Sequence, residues 1–263
     1  MSSLAARALH GLPEVRRGDD LAALILAALG GERLHAGEVV AIAQKVVSKS
    51  QGAIVQLADV RPSARAIALA AAPPGGQAKD PRAVQVVLDQ STEVLRAERG
   101  VLVCRTHHGF VCANAGVDAS NLGDGAGEQL VLLPRDPDAS ARRIRARLRE
   151  LSGWSEHDGV APAVLISDSF GRAWRHGQLD VAIGLAGMQP LDDWRGRTDA
   201  AGRELHATWL AVADAAAGAA DLVRAKDSRE PVALIEGLER FVTDDDGPGA
   251  GALLRAPGED LFR

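Results

Sequence analysis

The stretch VLISDSFGRAWRHGQLDVAIGLAG, Val164 to Gly187, sets two apolar runs around a dense polar cluster. The runs Val164–Ile166 and Val181–Leu185 are short and rich in branched residues, as strands of a buried sheet are. Between them stand Asp168, Ser169, Arg172, Arg175, His176, Gln178 and Asp180, with Trp174 in the middle. A hairpin turn needs only residues that tolerate its backbone angles, so this cluster asks for a further reason. Asp168 and Ser169 follow the apolar run Ala163–Ser167, where side chains emerge from a strand end. Carboxylate plus hydroxyl is hard-oxygen chemistry suited to Mg²⁺ or Mn²⁺. Arg172, Arg175 and His176 offer donors for anionic oxygens, and Gly171 and Gly177 let backbone approach a ligand. Without a ligand, ion pairs among Asp168, Arg172, Arg175 and Asp180 could close the same loop for structural reasons alone.

Outward from this segment, strand-like runs appear at Val39–Val47, Ala53–Leu57, Glu93–Arg96, Val101–Arg105 and Gly109–Asn114. More follow at Leu130–Leu133, His206–Ala213 and Val232–Glu236. Helical spacing marks Asp20–Leu29, Pro62–Ala72, Pro81–Asp89, Ala139–Leu151 and Ala215–Arg224. Asp80 caps the third of these and Pro81 takes its first turn; Asp138 or Ser140 is expected to cap the fourth. Strands outnumber helices and do not alternate with them, so the fold class is mixed α+β with largely antiparallel sheets and flanking helices. Residues 1–263 read as a single domain, with room for two subdomains whose boundary the pattern does not mark.

The chain has 263 residues and a net charge of -5. Mild acidity and 3% aromatic content argue against nucleic acid as a partner. The arginines of RRIRARLR (Arg142–Arg149) read as the solvated face of an amphipathic helix, since Ile144, Leu148 and Leu151 recur at helical spacing. No apolar run reaches the roughly 18 residues of a membrane span, and the start of the chain lacks a secretion signal, so a cytoplasmic protein is expected. Cys104 and Cys112 read as small buried hydrophobes in a reducing compartment, a cross-strand disulfide being the other option. No GxxxxGK[ST] loop or dinucleotide fingerprint is present, and TDDDGPGAG at Thr243 reads as a flexible acidic loop.

Three more segments could carry chemistry. HHGFVCANAGVDASNLGDG (His107–Gly125) ends a strand in small residues, with Asp118 as a metal-binding carboxylate and Asn121 as an amide for a base or phosphate. Asp-x-x-Asn is also a routine turn or cap. AIAQKVVSKSQGAIVQL (Ala41–Leu57) places Gln44, Lys45, Ser48 and Lys49 within a β-rich run; the two lysines share a face and could form an anion site. GLPEVRRGDDL (Gly11–Leu21) is a rigid element followed by a helix start, which favours anions or is simply a capped entry loop.

Taken in chain order, GLPEVRRGDDL, QKVVSKSQG, NAGVDASN and ISDSFGRAWRHGQ resemble the coenzyme F420-0:L-glutamate ligase, or γ-glutamyl ligase, family. DWRGRTDAAGREL (Asp193–Leu205) and VADAAAGAADLV (Val212–Val223) fit as well, so the resemblance spans about Gly11 to Val242. It implies GTP-dependent addition of L-glutamate to the carboxylate of coenzyme F420-0 through an acyl phosphate, with further γ-linked glutamates in some members. It also implies Mg²⁺ or Mn²⁺, K⁺, and an intertwined homodimer. By motif, Leu12, Pro13, Glu14, Val15, Gln44, Lys49 and Asn121 would contact GTP, and Asp118, Asp168 and Ser169 would hold metal. Lys49, Arg172 and Arg175 are candidates for neutralising the remaining phosphate charge. Gln44 departs from the serine or threonine common in the family, and VRAKDSREP (Val223–Pro231) replaces a Gly-rich loop of archaeal members. Two other readings use the same equipment: a metal-dependent nucleotide phosphohydrolase or phosphotransferase, and a non-catalytic dimer that binds a deazaflavin or nucleotide.

Overall fold

A computed structural model describes residues 3–71, 78–119 and 127–260. The first part of the chain forms β1 (Ala5–Ala8), α1 (Leu21–Ala28), β2 (Val39–Ala43), α2 (Gln44–Gln51), β3 (Ile54–Gln56) and α3 (Ala64–Ala70). The middle forms α4 (Pro81–Asp89), β4 (Ser91–Glu98), β5 (Val101–Thr106), β6 (Val111–Ala113), β7 (Gln129–Val131) and α5 (Pro137–Ser152). The rest forms β8 (Ala163–Arg172), β9 (Arg175–Ala186), β10 (Leu191–Asp193), β11 (Trp209–Ala211), α6 (Val212–Val223) and β12 (Val232–Glu236).

The main sheet runs β1-β12-β2-β8-β9, and β2–β8 is the parallel pair in an otherwise antiparallel set of ladders. β2 is buried along nearly its whole length, because both faces of the sheet are covered. On one face, Ile25 of α1 and Ile144 and Leu148 of α5 pack on Ile42, Val164 and Ile166. On the other, α6 presents Ala213, Ala216, Ala217 and Ala220 to Ala41, Leu165 and Ile235; alanines let the helix lie close to the strands. A smaller core joins Ala66 and Ala70 of α3, Val84 and Val87 of α4, and Leu102 and Cys104 of β5. The mixed, largely antiparallel arrangement is the one the sequence pattern predicts.

Local signals account for most element ends. Asp20 accepts from the amides of Ala22 and Ala23 and starts α1; Asp80 and Pro81 start α4 as expected. For α5 the cap is Asp136, not Asp138 or Ser140, and Pro137 takes the first turn. Asp138 instead accepts the amides of Leu185 and Ala250, tying α5 to β9 and to the tail. The run Val39–Val47 is strand only to Ala43, after which α2 begins. Likewise, only Trp209–Ala211 of the 206–213 run is strand, because Val212 already opens α6.

One arginine of the supposedly solvated face is fully buried. Arg145 is 1% exposed and donates to the carbonyls of Pro162, Thr243 and Asp245, at 3.1, 2.6 and 2.8 Å. The acidic segment after Thr243 is therefore clamped to the body of the protein, not a loose loop. Cys104 and Cys112 face each other in register across β5 and β6 as free, buried thiols. Burial pushes the Cys112 thiol up to about 12, which keeps it protonated and unreactive. Among the described residues, no helix is long and apolar enough to cross a membrane.

Candidate active site

The parallel pair β2–β8 sets the geometry of the site. Ala43, the last residue of β2, is the register partner of Ser167, but β8 runs on to Arg172 in its pairing with β9, so Asp168 is a mid-strand residue beside the carboxyl edge of β2 and not the strand-end residue that the apolar run predicts. In sheets with parallel strands, that edge is where ligands collect. From Gln44 the chain turns at once into α2, whose first turn has no side-chain cap. Its amides are open to an anion. Lys45 and Lys49 lie one turn apart on this helix, which is why they share a face.

The two lysines have different partners. Lys45 Nζ sits 2.7 Å from Asp118 Oδ2. Lys49, 8% exposed, holds Glu14 at 2.5 Å and so joins α2 to the Leu12–Val15 segment. That segment is also fixed by Val15, buried in the main core, and by the Gly18 amide on the Ser50 carbonyl. Gln44 is 1% exposed; its Oε1 accepts from Ser48 Oγ at 2.9 Å, while its Nε2 lacks a hydrogen-bond partner. An unpaired buried amide costs about 1–3 kcal/mol, so this group is poised to donate.

Asp118 arrives from a different part of the chain. Backbone bonds with Val131 hold it beside β7. It follows three consecutive left-handed residues, Asn114, Ala115 and Gly116, at φ 51°, 54° and 71°. Left-handed backbone in Asn and Ala costs about 1 kcal/mol or more per residue and persists where the surroundings require it. At Gly116 a side chain would meet Leu133 at 2.7 Å, so the turn packs without a Cβ.

Asp168 faces this group of charges. Burial pushes its carboxyl up to about 7; the negative charges of Asp180 and Asp118 add to the rise, and the Lys45 ammonium opposes it. Asp118, Asp168 and Lys45 therefore form one electrostatic cluster drawn from three segments. Ser169 belongs to the other side of the strand. Its Oγ donates to Asp180 Oδ1 at 2.6 Å and receives Lys226 Nζ at 2.8 Å. Asp180 also takes Ser167 Oγ at 2.8 Å and the buried Arg224 guanidinium at 2.7 Å. Alternation along β8 sends Asp168 and Ser169 to opposite faces, so a common ion could bind both only at the strand edge.

The hairpin tip is separate. Arg172 and Arg175 are paired across it and exposed, with Arg172 donating to the His176 carbonyl at 2.7 Å. Arg172 lies four residues along β8 from Asp168, about 13 Å away. The polar loop is thus not closed by Asp180 with these arginines: Asp180 is taken by Arg224 and Lys226. Both partners come from VRAKDSREP, where composition alone marks a loop and nothing points to a buried cation. Asn121 lies outside the described residues. Among those described, no three His, Cys, Asp or Glu side chains gather closely enough to hold a metal by themselves. Two carboxylates are nonetheless a fitting set for Mg²⁺ or Mn²⁺, which keep several waters and take further oxygens from a bound phosphate.

Asp118, Asp168, Lys45 and Lys49 thus gather about α2, and the chain is a ligase by its relatives. The F420-0:Gamma-glutamyl ligase family matches residues 11–237, and the protein belongs to that family. Similar proteins include the coenzyme F420:L-glutamate ligase of Methanothermobacter thermautotrophicus, 42% identical over 97% of each chain. That of Methanopyrus kandleri is 42% identical over 95% of this chain and 94% of its own. The Haloarcula marismortui protein of the same name is 40% identical, over 97% and 94%.

Proposed function

We propose that the protein joins L-glutamate to the carboxylate of coenzyme F420-0 at the expense of GTP, through an acyl phosphate. The observation that best supports this reading is the convergence of Asp118, Asp168 and Lys45 at the carboxyl end of β2, beside the start of α2. Amide formation from a carboxylate needs an activated acyl group, and phosphoryl transfer depends mostly on positioning and charge neutralisation.

In this scheme the Leu12–Val15 segment lies along GTP, with Gln44, Lys49 and Asn121 as further contacts, and the α2 amides meet its phosphates. Lys45 and Lys49 offset charge on the phosphates, and Lys49 exchanges Glu14 for a phosphate oxygen. The acceptor carboxylate attacks the γ-phosphorus and GDP leaves; the glutamate amine then attacks the acyl carbon, phosphate departs and a proton is released. Asp118 and Asp168, with Ser169 at the strand edge, would hold Mg²⁺ or Mn²⁺, which lowers repulsion between acceptor and phosphate. K⁺ and a homodimer complete the proposal, in a cytoplasmic setting. Arg172 and Arg175 would act at the rim from their hairpin tip, on charge that Lys45 and Lys49 leave uncovered.

Mass spectrometry after incubation with F420-0, GTP, Mn²⁺ and L-glutamate tests this reading. The expected product is the acceptor plus one or more glutamyl residues, with one GDP formed per bond. GDP release that needs neither acceptor nor glutamate would mark a phosphohydrolase instead.

A further inference from the structure

A cavity of about 300 Å³, lined in part by Asp118, opens between α4, β5 and β7. Its floor is apolar, built from Val87, Leu102 and Leu130; its polar lining is Lys79, Asp80, Asn114 and Asp118. Lys79 donates to Asn114 Oδ1 at 3.1 Å, and Asn114 is itself the first residue of the left-handed turn that leads to Asp118. No carboxylate pairs with Lys79 among the described residues, and its neighbour Asp80 is taken by Arg82 at 2.6 Å. Burial lowers the proton affinity of the Lys79 ammonium, as expected of a cation set over apolar side chains. A half-buried lysine held by one neutral amide is charge-deficient in its surroundings, and an anion would supply the missing partner.

We propose that this cavity receives the carboxylate-bearing end of the acceptor, with Lys79 and Asn114 as its anchors. The inference rests on the ligase reading above and adds the acceptor's position to it. The two carboxylates of the lining are matched by their own cations, Asp80 by Arg82 and Asp118 by Lys45, so Lys79 over the apolar floor suits a single anionic group on a carbon skeleton. Free glutamate, with three charged groups, would leave two of them against valine and leucine. The GTP phosphates are assigned to α2, none of whose residues line this cavity. The volume is at the lower end for small-molecule sites, enough for one end of the acceptor and not the whole. Because Asp118 lines the cavity and also belongs to the charge cluster, a carboxylate here would lie beside the phosphoryl group that activates it.

Steady-state kinetics of Lys79→Met test the assignment. Loss of a charge-assisted hydrogen bond should raise the acceptor KM by about tenfold or more, with kcat changing less. The KM values for GTP and L-glutamate should stay near wild type, and Lys79→Arg should recover part of the loss. An unchanged acceptor KM, or a rise confined to GTP or glutamate, overturns the assignment. Equilibrium dialysis of F420-0 against both folded proteins separates this idea from the reaction itself. Weaker retention by Lys79→Met supports the site even if wild type forms no amide; equal retention, or none by either protein, overturns it.

Discussion

Lys45 Nζ lies 2.7 Å from Asp118 Oδ2, and the same ammonium opposes the upward shift of the Asp168 carboxyl. One cation thus serves two carboxylates that stand fifty residues apart in the chain.

It follows that Lys45→Met raises the Asp168 titration further above its value of about 7. Carboxyl carbon NMR across a pH series reads this directly. A downward or absent shift would show that Lys45 does not act on Asp168.

Stability should carry the mark of the same group. Asp168 moves from an ordinary 3.8 to about 7 on folding, so the folded chain binds its proton more tightly. Between those values the folded state holds the extra proton. The benefit is full below the unfolded value and is lost as pH rises through the folded one. Urea denaturation at pH 5.5 and 8 should therefore show Asp168→Asn gaining stability relative to wild type at the higher pH, with no such gain if the group titrates normally.

The Arg224–Asp180 pair is buried on both sides, at 6% exposure each. Arg224→Met would leave the buried Asp180 with the exposed Lys226 ammonium, 3.7 Å away, as its remaining cation, at a cost of up to about 3–5 kcal/mol. Pairing it with Asp180→Asn should recover much of the loss, as measured by chemical denaturation. Equal destabilisation by single and double variants would contradict the pairing.

Arg145 supplies a control far from the chemistry. Its hydrogen bonds to carbonyls near Pro162 and Thr243 hold the tail against α5, so Arg145→Met should destabilise by several kcal/mol, since about 1–3 kcal/mol attaches to each stranded group. Gly187→Ala should act in the same direction, because a methyl there runs into the guanidinium. Acceptor and GTP KM values should be unaffected in whatever fraction stays folded.

Residues 164–187 made the paired strands legible, but the step from apolar run to Asp168 does not mark a strand end: β8 continues to Arg172, because pairing with β9 carries polar residues as readily as apolar ones. Asp80-Pro81 and Asp20 announce helix starts by chemistry that acts within three residues. The start of α2 was not legible, because Val46 and Val47 continue the β-branched run of β2. The helix is supported by the Gln44–Ser48 hydrogen bond and the left-handed Gly52 that ends it, and these weigh little in sequence against a local valine pattern. Arg145 looked solvated because its partners are carbonyls about a hundred residues away. Arg224 and Lys79 were hidden for the same reason: each sits in a loop-like stretch, and only the fold shows what it faces.

In the proposed reaction Asp118 and Asp168 hold one cation between them, and Mn²⁺ affinity by electron paramagnetic resonance, with a non-hydrolysable GTP analogue bound, reads this most directly. Asp118→Asn and Asp168→Asn should each remove most of the affinity, and the double variant should lose little more than either. Losses that simply add, or a single variant that binds as wild type does, would mean the two carboxylates do not share an ion.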